Sequence, residues 1–272
     1  MNKGIKKITT NLVKNKTYYI LFVILVVLLI LHLFYKIKSK QNFNIAVIIH
    51  GFSPRSFKYT HQSIKENIIN TLKQNPNVNV DLYHYSLLSK KSIIDSSRKE
   101  EIGITINNDD SKLLNCNKLV TEYQEDLKFP RRSLSCTHYH DTMDLNFRRA
   151  LYGESQCMKH FPIENYDVCI MVASDSLITK QINFKEVLDS YKSNCVYTTA
   201  FNKAGGVANG FYIAPPNVLE NICNRYYDLQ IWCSQNKNKK GDTQNAEKFL
   251  KFIIKKHNII NKNSDMFYLK IR

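Results

Sequence analysis

The chain has 272 residues, 43% of them hydrophobic, and a formal net charge of +16. Its length leaves room for one α/β domain with a sizeable core, or two small ones, beyond the first 40 residues. The basic balance suits anionic ligands or a membrane surface, whereas nucleic acid is disfavoured because no zinc finger, basic-aromatic motif or glycine-rich RNA signature is present.

The first element is the segment 18–35, "YYILFVILVVLLILHLFY". It is almost wholly apolar, matches the ~20 residues that span a bilayer, and has aromatic residues at both ends. No small-residue cleavage site follows, which argues against a removed signal peptide. Eight Lys and no acidic residue lie in residues 1–40. Lys3, Lys6, Lys7, Lys14 and Lys16 precede the span, against Lys36, Lys38 and Lys40 after it. That excess predicts a cytoplasmic tail over 1–17, a transmembrane signal-anchor helix over 18–35, a stem over 36–43 and a lumenal domain over 44–272. The expectation is therefore a single-pass type II membrane protein held in a lipid bilayer.

Residues 44–50 read as a buried strand. The stretch "THQSIKENIINTLKQN" carries Ile64, Ile68, Ile69 and Leu72 at helical spacing, and Pro76 stops it. "VNVDLYHYSLL" alternates like a second strand, so the domain opens as β-α-β with a parallel pair. Residues 90–140 are polar and weakly periodic and read as an insert or long loop. Helical period returns over 144–161, followed by the buried strand "YDVCIMVA", the helix "FKEVLDSYKS" and the strand "CVYTTAF". "GFYIAPP" reads as a strand with a Pro stop before another helix. "TQNAEKFLKFIIKKH" is amphipathic, with Asp242 or Thr243 as its expected cap. Alternating strands and helices predict one mostly parallel, Rossmann-like α/β sheet with flanking helices.

All seven cysteines follow the span. In an oxidising lumen a Cys116–Cys136 bridge would staple the insert, and the odd count leaves at least one cysteine out. Cys169 and Cys195 sit in apolar strands and read as core. The absence of any CxxC disfavours zinc. "HYHDTMD" offers His138, His140, Asp141 and Asp144, but in the polar insert and without a supported metal spacing; a solvated loop is the expectation there.

Two chemistries compete at "NIAVIIHGFSPRSF", residues 44–57. An α/β-hydrolase would use His50-Gly51 near an oxyanion hole and needs a nucleophile elbow. The candidate is Gly153-Glu154-Ser155-Gln156-Cys157, but it lies in a helical stretch rather than after a strand. The other reading takes Gly51 and Arg55 as a phosphate-side turn. It pairs them with "YDVCIMVASDSLI", where Asp175 ends a central strand, the place where open α/β sheets bind ligands.

These residues carry a resemblance. "HGFSPRSF" and "SIKENI", then "FRRALYGESQCMKHFPIENYDVCIMVASDSLI", then "ANGFYIAPP" and "TQNAEKFL", occur in the order found in a poorly characterised glycosyltransferase-like group of bacteria and large DNA viruses. The resemblance covers most of residues 44–255 as scattered short matches. It implies a GT-A-type fold, a nucleotide-sugar donor, a glycan or glycoprotein acceptor and a divalent metal, Mn²⁺ or Mg²⁺. By the same resemblance Gly51, Arg55 and Asp175 would bind the nucleotide, with Asp175 as metal ligand. Gly205, Gly206, Asn209 and Gly210 would form a loop near sugar and acceptor, and Asp242 or Glu247 would be the catalytic carboxylate near the acceptor, a general base. Two positions depart from the pattern. Asp175-Ser176-Leu177 stands where GT-A enzymes offer Asp-x-Asp, and Ala173 stands where the group has Arg. A catalytically inactive, membrane-anchored binding module is the competing reading, and the esterase is third. The membrane would be that of the endoplasmic reticulum, Golgi or cell surface, or a virion envelope.

Overall fold

The computed structural model describes residues 23–29, 42–94, 103–129, 141–201, 203–236 and 245–271. The chain divides into two units, residues 1–42 and 43–272. In the first, residues 23–29 form a helix, α1, with exposed apolar side chains. Among the described residues no helix is long and apolar enough to cross a membrane. The rest of the expected span lies outside them.

The second unit opens with β1 (Phe43–Phe52) and α2 (Ser53–Ile64). The helix continues through a π-helical turn, Lys65–Asn70, into α3 (Thr71–Lys73), and β2 (Val78–Leu88) follows. β1 and β2 pair in parallel, as the β-α-β reading requires. The helix begins earlier than its periodic stretch, directly after Gly51-Phe52. Pro54 sits in its first turn, where a missing N–H costs nothing and a fixed φ favours the helix. Arg55 is thus a helical residue rather than part of a loop.

The described residues of the polar insert hold more regular structure than expected. β3 (Ile93–Ile94) pairs antiparallel with β4 (Ile104–Thr105). After a 3-10 turn at Asn108–Lys112, β5 (Lys118–Tyr123) joins the main sheet parallel to β2. β5 is one of the two edge strands and is nowhere fully buried. Such a strand needs no continuous apolar run, so its signal is faint. The expected Cys116–Cys136 bridge does not form: Cys116 is a free thiol, while Cys233 is disulfide-bonded.

The remaining elements are α4 (Asp141–His160), β6 (Val168–Ala173), β7 (Ser176–Ile178) and α5 (Phe184–Ser193). Then come β8 (Cys195–Thr199), β9 (Phe211–Ala214), α6 (Pro216–Cys223) and α7 (Leu229–Asn236). The chain closes with α8 (Ala246–Lys256), β10 (Ile260–Ser264) and β11 (Tyr268–Lys270). Asn245 caps α8, its side chain accepting the Lys248 N–H at 2.8 Å, in place of the expected Asp242 or Thr243. Those two residues lie outside the described ones. β10 and β11 were not expected from the sequence.

The main sheet has the order β10-β8-β9-β6-β1-β2-β5. It is mostly parallel, as expected, and only β9 runs against its neighbours β6 and β8. A small second sheet pairs β7 with β11. Strand side chains alternate between two cores. Ile45, Val47 and Ile49 of β1, with Val168, Ile170 and Val172 of β6, pack with the α2 side. Ala46, Ile48, Cys169 and Met171 pack against residues of α4, α6 and α8. With both faces covered, these strands read as unbroken apolar runs.

Candidate functional site

β1 leads to β2 on one side of the sheet, and β6 pairs with β1 on the other. The crevice above the carboxyl ends of β1 and β6 is therefore a topological switch point, where open sheets bind ligands. A cavity of about 680 Å³ lies there, a size in the range of small-molecule sites. Gly51, Arg55, Asp175, Asn209 and Gly210 line it, which brings together five of the residues singled out from the sequence.

Backbone bonds knit this end of the sheet. The Ser174 N–H donates to the His50 carbonyl at 2.8 Å, and the Ala173 N–H to that of Gly210 at 3.0 Å. The Thr60 hydroxyl donates to the Ser174 carbonyl at 2.5 Å. Gly51 has φ +126, and a Cβ there would stand 3.0 Å from the Ser174 hydroxyl. The turn from β1 into α2 thus requires glycine. No side chain caps α2 and no acid lies in its first turn. Its unsatisfied N–H groups and positive dipole end favour an anion beside Arg55.

Asp175 sits at the wall of the cavity. Arg55 Nη2 approaches its Oδ2 at 4.0 Å, and Lys270 Nζ bonds its Oδ1. Lys270 also donates to the Ser176 hydroxyl at 3.1 Å. Beneath lies a second charged group. Glu154, from α4, makes a two-pronged pair with Arg225 at 2.7 and 3.1 Å. Arg225 also donates to the Tyr212 hydroxyl, which in turn accepts the Gly210 N–H at 3.2 Å. Burial pushes the Glu154 carboxyl upward against the pull of Arg225, and Glu154 in turn raises Arg225, which stays charged.

His50 lies near the end of β1, two residues before its last, and lines the same cavity, only 3% exposed. Burial, with Lys270 adding to it, lowers its pKa to about 3, so the ring is neutral. Among the described residues neither ring nitrogen has a hydrogen-bond partner. Its 4.0 Å approach to Glu154 is therefore not an ion pair. Ser53 and His84 form a hydrogen bond of 2.8 Å, but both are wholly buried and closed to a substrate.

Other candidates lie elsewhere. Gly205 and Gly206 pack on the first turn of α8 instead of the cavity; a Cβ on Gly206 would fall 2.1 Å from the Glu247 backbone. Glu247 opens α8 outside the cavity lining, and burial raises its carboxyl above the usual range. Asp242, His138 and His140 lie outside the described residues. Asp144 pairs with Arg148 one helical turn away on α4, at 2.9 Å. Ser155 is mid-helix in α4, its hydroxyl donating to the Tyr152 carbonyl at 2.8 Å. With no strand before it and no elbow, the esterase reading falls.

The residues do not fit the divalent ion that the resemblance implies. Mn²⁺ and Mg²⁺ take several oxygen ligands, with carboxylate oxygens turned to the metal. Here one carboxylate, Asp175, stands in the turn after β6, and each of its oxygens faces a cation. Among the described residues no group of three His, Cys, Asp or Glu side chains could hold a metal ion.

Lys270, Glu154 and Arg225 carry no assignment from the sequence. A carboxylate in the middle of an amphipathic helix, as at Glu154, was the one available signal. Lys270 had none in a chain this rich in lysine.

No protein-family model matches the chain, and no curated protein matches it. Among solved structures, the apo form of mouse xyloside xylosyltransferase 1 is similar, with a TM-score of 0.44 and 10% sequence identity. The match covers 82% of this chain and 85% of that one. Likeness at that level bears on neither activity nor substrate.

Proposed function

We propose that the chain is a membrane-anchored glycosyltransferase that moves a sugar from a nucleotide-sugar donor to a glycan or glycoprotein acceptor. The observation that carries this reading is the cavity at the switch point, where Arg55 and the uncapped start of α2 meet Asp175. A guanidinium fork and a helix N-terminus are the groups that hold phosphate oxygens. The donor's phosphates lie beside Arg55, with Gly51 allowing their close approach. The sugar extends toward Asn209 and Gly210. Asp175 fixes the direction of the cations around it. The Tyr268 hydroxyl has its pKa raised chiefly by burial and also feels the charges of Asp175 and of Glu247, in the first turn of α8. Glu247 is the carboxyl assigned to the acceptor side. The anchor is the apolar segment 18–35, with the N-terminus cytoplasmic; protection of residues 44–272 from protease in sealed vesicles checks that orientation.

The test is nucleotide release from UDP-, GDP- and CMP-sugars by the full-length chain. We expect one donor to be turned over, with a loss of roughly 100-fold in Asp175→Ala, since displaced binding groups cost about that much. No release from any donor, with no nucleotide raising the melting temperature, would overturn the reading in favour of a non-catalytic binding module.

A further inference from the structure

The donor set of the cavity raises the question of what stands opposite a diphosphate. A carboxylate holding a divalent ion presents one net positive charge. Asp175 with Arg55 and Lys270 presents the same charge, from side chains alone.

Lys270 is built into this place. It lies on β11, opposite Ser176 of β7 in the antiparallel register, so the strand pairing itself delivers the ammonium to the end of β6. The Ile271 N–H donates to the Asp175 carbonyl at 2.8 Å and locks the two segments together. The Tyr268 ring lies 5.3 Å from Nζ, and the Tyr268 hydroxyl donates to the Asn209 carbonyl at 2.8 Å. Gly210 opens the remaining side, since a Cβ there would stand 3.4 Å from Nζ. An ammonium has three N–H donors. Asp175 and Ser176 take two of them, and the third remains for an oxygen in the cavity. The side chains of Lys270, Asp175 and Arg55 are 26%, 22% and 16% exposed, so a ligand reaches them from the cavity.

We propose that Lys270, together with Arg55, takes the place of the divalent cation and that a nucleoside diphosphate binds here without metal. The proposal rests on the nucleotide-sugar reading above and names the charge that reading needs.

The test is calorimetric titration of UDP and GDP into the full-length chain, first with a chelator and then with Mn²⁺. The expected result is binding in chelator with Kd within about 3-fold of the Mn²⁺ value, a difference of less than about 1 kcal/mol. Lys270→Met weakens that binding by roughly 10-fold or more, as for a charged pair at a partly desolvated site. Lys270→Arg retains most of it, and Mn²⁺ does not rescue Lys270→Met. The chelator arm uses the unaltered chain, so it stands even if a variant folds poorly; a melting curve of each variant identifies that case. Binding that appears only with Mn²⁺ would overturn this proposal alone and leave the transferase reading intact. A folded Lys270→Met that binds as the wild type would do the same. No binding of either nucleotide under either condition would overturn both.

Discussion

Glu154 and Asp175 both line one cavity and both face guanidinium groups, yet the two groupings are built for different ends. The Glu154–Arg225 pair is sealed, with side chains 4% and 1% exposed and two short contacts. The Asp175 group is open, its cations reached from the cavity and its Arg55 contact loose at 4.0 Å. A sealed pair is closed to a ligand by its burial and serves as the floor, tying α4 through Arg225 and Tyr212 to the backbone of Gly210. An open group sits near the balance between protein and ligand partners, so an anion can enter it. The same chemistry is architecture at one depth and a binding surface at the next.

Breaking the floor should have the largest effect. Arg225→Met leaves Glu154 buried without its partner, which costs about 3–5 kcal/mol. Urea unfolding should read that loss, and the double variant Glu154→Leu, Arg225→Met should recover most of it. Little change in the single variant would mean that the pair is not sealed.

Acid should act next, through the buried imidazoles. Burial lowers His50 to about 3 and His84 to about 4, from an ordinary value near 6.5. As pH falls below about 6.5 the unfolded chain takes up these protons, while the folded chain does not until about pH 4 and below. Stability is therefore full above pH 6.5 and declines as pH drops through that window. Midpoints of urea unfolding between pH 7 and pH 4.5 should fall, and fall less steeply in His50→Gln. An identical slope in that variant would remove His50 as a source.

The smallest change in stability should come from opening the wall. Asp175→Asn removes a partly exposed charge, and such pairs contribute about 1 kcal/mol or less. Its unfolding midpoint should stay close to the wild type while turnover falls. A loss as large as that of Arg225→Met would make Asp175 architectural too, and the contrast between floor and wall would vanish.

Much of the frame was legible in the sequence because its signals are local. Ile45 to Ile49 and Val168 to Val172 are covered on both faces, which leaves continuous apolar runs. The helix of "FKEVLDSYKS" shows its period within ten residues. β5 and β10 are the two edge strands, mostly half-exposed, and neither has a run to read. The early start of α2 is hidden in the sequence because Pro54 reads as a turn residue as easily as a first-turn helical residue.

The site divides the same way. Arg55 and Asp175 were found because each lies beside a strong strand, and the end of a parallel strand is where ligands go. Arg225 meets Glu154 across 71 residues of chain, and Lys270 meets Asp175 across 95. By itself the sequence determined the α/β layers and the strand ends that face the cavity, because side-chain periodicity is set by neighbours along the chain. Only the tertiary structure decided which cations stand there. The register of β7 with the three-residue β11 is fixed by packing and backbone pairing across the fold, and no pattern within so short a strand encodes it.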